Sequence, residues 1–175
     1  LRGSLSAAGV DIAAVRRKPQ PTVRGVTWLK TDLAEPGLRL AVGTAPGAAF
    51  SLVPIWVLPA ALPAIWALGV RRLIAFSSTS RHMKVESTIA SEREVARLLI
   101  AGEEDVQSYC EEHDIAWTVL RPTLVYAEGE DGPVTRTAHL IRRIGVVPLS
   151  GAASGRRPAV HARSLAGAAI AAARP

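Results

Sequence analysis

Cysteine, methionine and aromatic side chains are scarce in this chain. It holds one cysteine, Cys110, and one methionine, Met83, and aromatic residues make up 5% of its 175 positions. A single cysteine excludes an internal disulfide and suits a reducing, cytoplasmic compartment. His82, His113, His139 and His161 stand far apart, with no metal-ligand spacing, so no metal site is expected. Acidic residues are outnumbered, 15 against 21 basic ones, for a formal charge of +6. Such a balance can attract nucleic acid. Here the arginines fall in scattered pairs without interleaved aromatics, which argues against that partner.

Charge is missing altogether from residues 40–70. The run is long enough to span a bilayer. Pro46, Pro54, Pro59 and Pro63 interrupt it, and Gly43, Gly47 and Gly69 lie nearby. Prolines so spaced remove backbone donors and kink any single helix repeatedly. The run divides better into a buried strand at 48–53, a proline-started helix at 59–68 and a glycine-led entry into the next strand. Parallel strands buried on both faces are continuously apolar.

What the chain does have is an ordinary globular balance, 49% hydrophobic and 21% charged, and enough length for one domain with a core. Further strands are expected at 10–15, 23–29, 72–76, 115–120 and 146–149, and helices at 92–113, 134–144 and 165–173. Helix signal is weak across 34–44. In the longest helix, Ser91 and Glu94 form a capping box. Val95, Leu98, Leu99, Val106, Tyr109 and Cys110 recur at helical spacing and define a buried face. Cys110 is thus expected in the core rather than as a nucleophile. Gly102 would allow close approach to a sheet, while Glu103, Glu104, Glu111 and Glu112 read as a solvated face. Ser164 is expected to cap the last helix. Strands alternating with helices imply βαβ units and a doubly wound, mostly parallel α/β sheet. Residues 1–8 read as a helix tail closed by Gly9, and the chain is expected to be a piece of a longer protein.

In open α/β sheets, ligands sit beyond the carboxyl ends of the strands. Two such ends stand out: Val70-Arg71-Arg72-Leu73-Ile74-Ala75-Phe76-Ser77-Ser78-Thr79-Ser80, and Ala116-Trp117-Thr118-Val119-Leu120-Arg121-Pro122-Thr123-Leu124-Val125-Tyr126. Each is an apolar run that breaks into polar residues, and a crossover helix separates them.

With Val160-His161 following before a final helix, this order resembles the extended or atypical short-chain dehydrogenase/reductase superfamily, in its NAD-dependent epimerase/dehydratase-like branch. The resemblance covers nearly the whole chain. It implies a single Rossmann-like domain over residues 1–175 that binds NADP or NAD, with 145–175 opening a small substrate lobe. It also implies a missing first strand and Gly-x-x-Gly-x-x-Gly loop, whose amides hold the pyrophosphate. Carried over by position, Arg16 and Arg17 meet the 2′-phosphate of NADP. Asp32, in the Asp32-Leu33 pair, reaches the adenine amine, with a helix N-cap as its structural alternative. Ser77 and Ser78 lie beside the nicotinamide, and Arg121-Pro122-Thr123 turns past its amide, leaving backbone groups free for a ligand.

The superfamily's Tyr-x-x-x-Lys dyad is absent. Alignment on the Arg121-Pro122 exit puts Val95 and Leu99 in its place. The family's Tyr-Gly-Pro-Gly loop is altered to Tyr126-Ala127-Glu128-Gly129, and Ser164 stands where many members have Asp. A substitute proton relay would draw on Ser78, Thr79, Lys84 or Glu86. Two classes stay open: an enzyme acting on a sugar-nucleotide or other carbonyl compound, and a non-catalytic dinucleotide-binding redox sensor (NmrA-like) or accessory subunit. A small membrane-anchored protein is the third reading, against which the prolines speak.

Overall fold

Short runs of β-branched and apolar residues pair in parallel. In the computed structural model, which describes residues 10–18, 21–127, 129, 133–146 and 158–174, β1 (Ile12–Arg16) pairs with β2 (Val26–Lys30). A three-stranded sheet follows in the order β3 (Ala49–Ser51), β4 (Arg72–Phe76), β5 (Ala116–Leu120). The last pair is β6 (Leu124–Tyr126) with β7 (Ala159–His161), neither of which the sequence pattern marked as a strand. All four pairings are parallel. The expected parallel α/β architecture is therefore present, but as separate ladders.

The uncharged run folds as short elements. After β3 comes a 3-10 helix, Ile55–Ala61, which passes directly into α1 (Leu62–Ala67). Pro59 sits inside the 3-10 turn and Pro63 in the first turn of α1, where a missing amide costs nothing. Among the described residues no helix is long and apolar enough to cross a membrane. Residues 34–44 form turns, not a helix.

The remaining helices are α2 (Ser80–Met83), α3 (Ala90–Glu112), α4 (Pro133–Ile144) and α5 (Ala162–Ala172). The capping box on α3 does not form. The helix starts at Ala90 with Ile89 as its cap residue, so Ser91 falls inside the first turn, and Glu94 binds Arg97 instead. Nor does Ser164 cap α5; it lies within the helix, and His161 Nδ1 accepts the Arg163 amide at 3.1 Å. The expected helix tail over residues 1–8, Gly9 and positions 147–149 lie outside the described residues, and Val146 belongs to no strand.

The core forms where α3 lies across the 3-10 helix and β4. Ile55, Leu58, Leu62, Leu73 and Val106 are each at most 1% exposed. Leu73 and Ala75 share one face of the sheet with Trp117 and Val119, and all four pack into this cluster. Ile74 points the other way and is equally buried, which makes β4 a central strand. On α3, Leu99, Val106 and Cys110 face the core as expected, but Val95 is 38% exposed and Ala96 takes the buried position. Gly102 does mark a close approach, yet to the 3-10 helix rather than the sheet: a Cβ there would stand 2.8 Å from the Trp56 backbone.

Burial pushes the Cys110 thiol up to about 11, with Glu111 adding to the shift. Iodoacetamide at pH near 8 is expected to leave Cys110 unmodified in the folded chain and to label it fully after denaturation, as read by intact mass.

Candidate functional site

Parallel pairing carries the carboxyl ends of neighbouring strands to the same edge, and two clusters of polar residues gather there. At the first, Arg16 pairs in register with Lys30, and the Thr31 amide donates to Arg16 O at 3.1 Å. This brings Arg17 Nη1 to 3.8 Å from Asp32 Oδ2, with both side chains well exposed. Such a pair is weak and readily exchanged for another partner. Asp32 caps no helix; its Oδ1 accepts the Ala34 amide at 3.0 Å and closes a local turn. Leu33 packs against the core cluster and anchors that turn. The Arg16 guanidinium stands 6.0 Å from the Trp28 ring centroid, at the outer reach of a cation–π contact.

At the second cluster, hydrogen bonding between β4 and β5 runs on past both strands. Ser77 N donates to Leu120 O at 2.9 Å and Thr79 N to Pro122 O at 3.3 Å. Ser77-Ser78-Thr79 therefore lies beside Arg121-Pro122, as the sequence suggested, but the Pro122 carbonyl is not free for a ligand. Ser78 Oγ accepts the Ser80 amide and donates to Ser80 Oγ, each at 3.1 Å, which starts α2. Thr123 Oγ1 donates to Pro158 O and joins this turn to the entry of β7. Across the β6–β7 pair, Tyr126 and His161 meet edge to face at 5.1 Å. Glu128 of the altered loop lies outside the described residues. A hollow of about 290 Å³ opens beside the turn, walled by Leu120, Pro122, Thr123, Val160 and Leu165.

Glu103 of α3 sits beneath these ends and is 4% exposed, so it is no part of a solvated face. Ser77 Oγ donates to its Oε1, and Arg81 Nη1 to its Oε2. Arg121 adds Nε at 2.8 Å and Nη2 at 2.5 Å, also on Oε2. Burial pushes the Glu103 carboxyl up, but the hydrogen bonds from Arg121 and Ser77 and the charges of Arg121 and Arg81 outweigh it, and the net shift is downward. Two guanidiniums on one carboxylate leave a single positive charge at the strand ends. The helical pattern hid this residue because it lies next to Gly102, on the edge of the apolar stripe. The signal that would have found it is chemical: Arg81 and Arg121, which both follow strand ends near the site, call for a carboxylate within reach.

The other relay candidates are engaged or remote. Lys84 Nζ is held at 2.7 Å by Glu92 Oε1, whose second oxygen accepts Ser87 Oγ at 2.7 Å. Glu86 is exposed. Leu99, at one dyad position, is 4% exposed and part of the core.

Solved structures of low sequence identity share this fold. MoeE5 in complex with UDP-glucose and NAD superposes with a TM-score of 0.73 at 18% identity, covering 98% of this chain and 66% of that one. TunA, an NAD dependent NDP-hexosamine 5,6-dehydratase involved in tunicamycin biosynthesis, gives 0.73 at 14% identity, with 98% and 66% covered. UDP-glucose 4-epimerase with UDP-glucose from Thermotoga maritima gives 0.72 at 15% identity, with 97% and 67% covered. The chain thus spans about two thirds of the length of these proteins. No curated protein matches it. These likenesses establish the doubly wound, Rossmann-type parallel fold. The model of the NAD dependent epimerase/dehydratase family matches residues 60–175, a stretch that contains β4, α3, β5 and both strand-end turns, and the chain belongs to that family.

Proposed function

We propose that this chain is the dinucleotide-holding part of an epimerase/dehydratase-type protein, with NAD or NADP lying across the carboxyl ends of β1, β2, β4 and β5. The observation that carries this reading is the adjacency of Ser77-Ser78-Thr79 and Arg121-Pro122 at one edge of one parallel sheet. The donor set fits the two ends of such a cofactor. Arg16 and Arg17 supply cations for a 2′-phosphate, and Asp32, steadied by Leu33, supplies an acceptor for the adenine amine. Ser78, Thr79 and the Arg121-Pro122-Thr123 turn border the nicotinamide end. No glycine-rich turn for the pyrophosphate occurs in this sequence.

When bound, the cofactor supplies hydride transfer. The chain's own residues bind and orient it, and the hydroxyls of Ser78 and Thr79 are the groups nearest in kind to a proton relay. The substrate class is a sugar-nucleotide or another carbonyl compound, and 145–175 opens the lobe that meets it, with Val160 and Leu165 walling the hollow beside Thr123. A non-catalytic sensor or accessory subunit is the second reading. It is favoured by Val95 and Leu99, two apolar side chains at the positions where the family's phenol would exchange the proton and its ammonium would lower the pKa of that phenol. We place the protein in the cytoplasm.

Fluorescence titration with NADH and NADPH tests the reading, and the absence of a saturable signal from both would defeat it. Replacing Arg16 and Arg17 together by Ala is expected to weaken NADPH about tenfold and NADH by much less, since charge-assisted contacts to the extra phosphate are lost only for NADPH. An equal loss for the two would exclude the 2′-phosphate role. Turnover on any member of a carbonyl panel would reject the sensor reading.

A further inference from the structure

The segment between β4 and α3 has little to hold it in place. Its helix, α2, is four residues long, gains no cap bond from the side chain of Thr79 and buries no residue. Met83 is 79% exposed, so no hydrophobic anchor exists on this turn. Polar tethers from α3 replace one. Glu103 holds Ser77 before the turn and Arg81 within it, and Glu92 holds Lys84 at its end. Arg93 Nη1 also donates to Ser87 O at 2.7 Å, and the two carboxylate tethers are unequal. Glu103 is 4% exposed and the Arg81 side chain 20%, whereas Lys84 and Glu92 are 27% and 34% exposed. Attraction in the drier environment is the stronger, and the half-buried Lys84–Glu92 pair adds less.

Glu103 also holds Arg121, the first residue beyond β5. One carboxylate therefore joins three residues from two stretches of chain that are far apart in sequence, Ser77 and Arg81 from one and Arg121 from the other. Two of them flank the proposed nicotinamide end. Among the described residues, the charges that act on it are those of Arg121 and Arg81; the 3-10 helix and β5 carry none.

Resting on the dinucleotide reading, we infer that Glu103 is a positioning residue, which through Ser77, Arg81 and Arg121 sets the spacing of the Ser78-Thr79 and Arg121-Pro122 ends that border the cofactor. It touches no ligand itself. Its carboxylate fixes where the hydroxyls and the turn stand, and Glu92 contributes little to that placement.

The test compares the full chain with E103Q, E103D and E92Q. Hydrogen exchange is followed by mass spectrometry over residues 77–84, 120–124 and 96–110, and NADP+ binding by tryptophan quenching. E103Q is expected to speed exchange in 77–84 and 120–124 at least tenfold, leave 96–110 protected, and weaken NADP+ about tenfold. E103D, which keeps the charge on a shorter arm, recovers part of each loss, and E92Q changes neither. Should E103Q fail to fold, Arg81→Met leaves Glu103 paired with Arg121 and loosens 77–84 alone. Unchanged exchange in 77–84, or an equal rise throughout the chain, overturns the inference. If the unaltered chain binds neither NAD+ nor NADP+, the dinucleotide reading fails and the local exchange pattern alone decides whether Glu103 positions the turn.

Discussion

Gly102→Val is expected to lower stability by about 3 kcal/mol or more, near the top of the range for forcing atoms into a packed core. A Cβ at this position would meet Trp56 Cα and N at 2.8 Å and Ile55 C at 3.0 Å. All three are backbone atoms of the 3-10 helix, so no rotamer change relieves the clash. The 3-10 helix must move, and with it Ile55 and Leu58, each 1% exposed in the core. Gly102→Ala is the graded control. Alanine gains about 1 kcal/mol of helix propensity over glycine, which offsets part of the clash. At about 2–4 °C per kcal/mol for a chain of this size, the valine variant should melt some 6–12 °C lower and the alanine variant a few degrees lower. Circular dichroism on heating reads both. An alanine variant that melts higher than the parent would show that the 3-10 helix yields and that the close contact carries no strain.

The fold was legible in outline because its strands are short apolar runs with polar stops. β4 falls at residues 72–76 as the pattern predicts, and α3 departs from it by two residues at its start. Failures came where a local signal met a tertiary one. The Ser91/Glu94 box lost because α3 already runs from Ala90, which puts Ser91 inside its first turn, and Arg97 takes Glu94. β6 and β7 were invisible because each is three residues long and gains its pairing only from the other, across more than thirty residues of chain. The proline-rich run folds as the separate short elements its prolines predict, but its helix begins earlier, as 3-10 turns that accept Pro59 without a broken α-helical ladder.

At the site, sequence placed the residues but not their engagements. Ser77 and Arg121 were found as strand ends, yet both side chains turn inward to Glu103 instead of lining an open cleft. Lys84 looked available for proton transfer and is ion-paired to Glu92. Arg17 and Asp32 stand fifteen residues apart in sequence, and the β1–β2 register places them side by side. Periodicity reports which face of a helix is apolar. It says nothing of a buried charge whose partners arrive from other elements, and Glu103 is such a case.

Glu103→Ala is expected to cost about 3 kcal/mol at neutral pH, the lower end for breaking a buried ion pair. The lower end applies because Arg121, with a side chain 38% exposed, turns into solvent when released, while Arg81 at 20% has less freedom to do so. The pH dependence identifies the cause. In the folded chain the Glu103 carboxyl is held below its ordinary value of 4.5. A group depressed in this way adds stability in full above the unfolded value, and that stability is lost as pH falls through the folded one. The parent should therefore lose stability on acidification below about 4.5, while the alanine variant, already without this contribution, loses less over the same interval. Urea midpoints between pH 7 and pH 3 should start well apart and draw together. A gap that stays constant with pH would mean that the variant suffers from a packing defect rather than from the loss of an ionised partner for the two arginines.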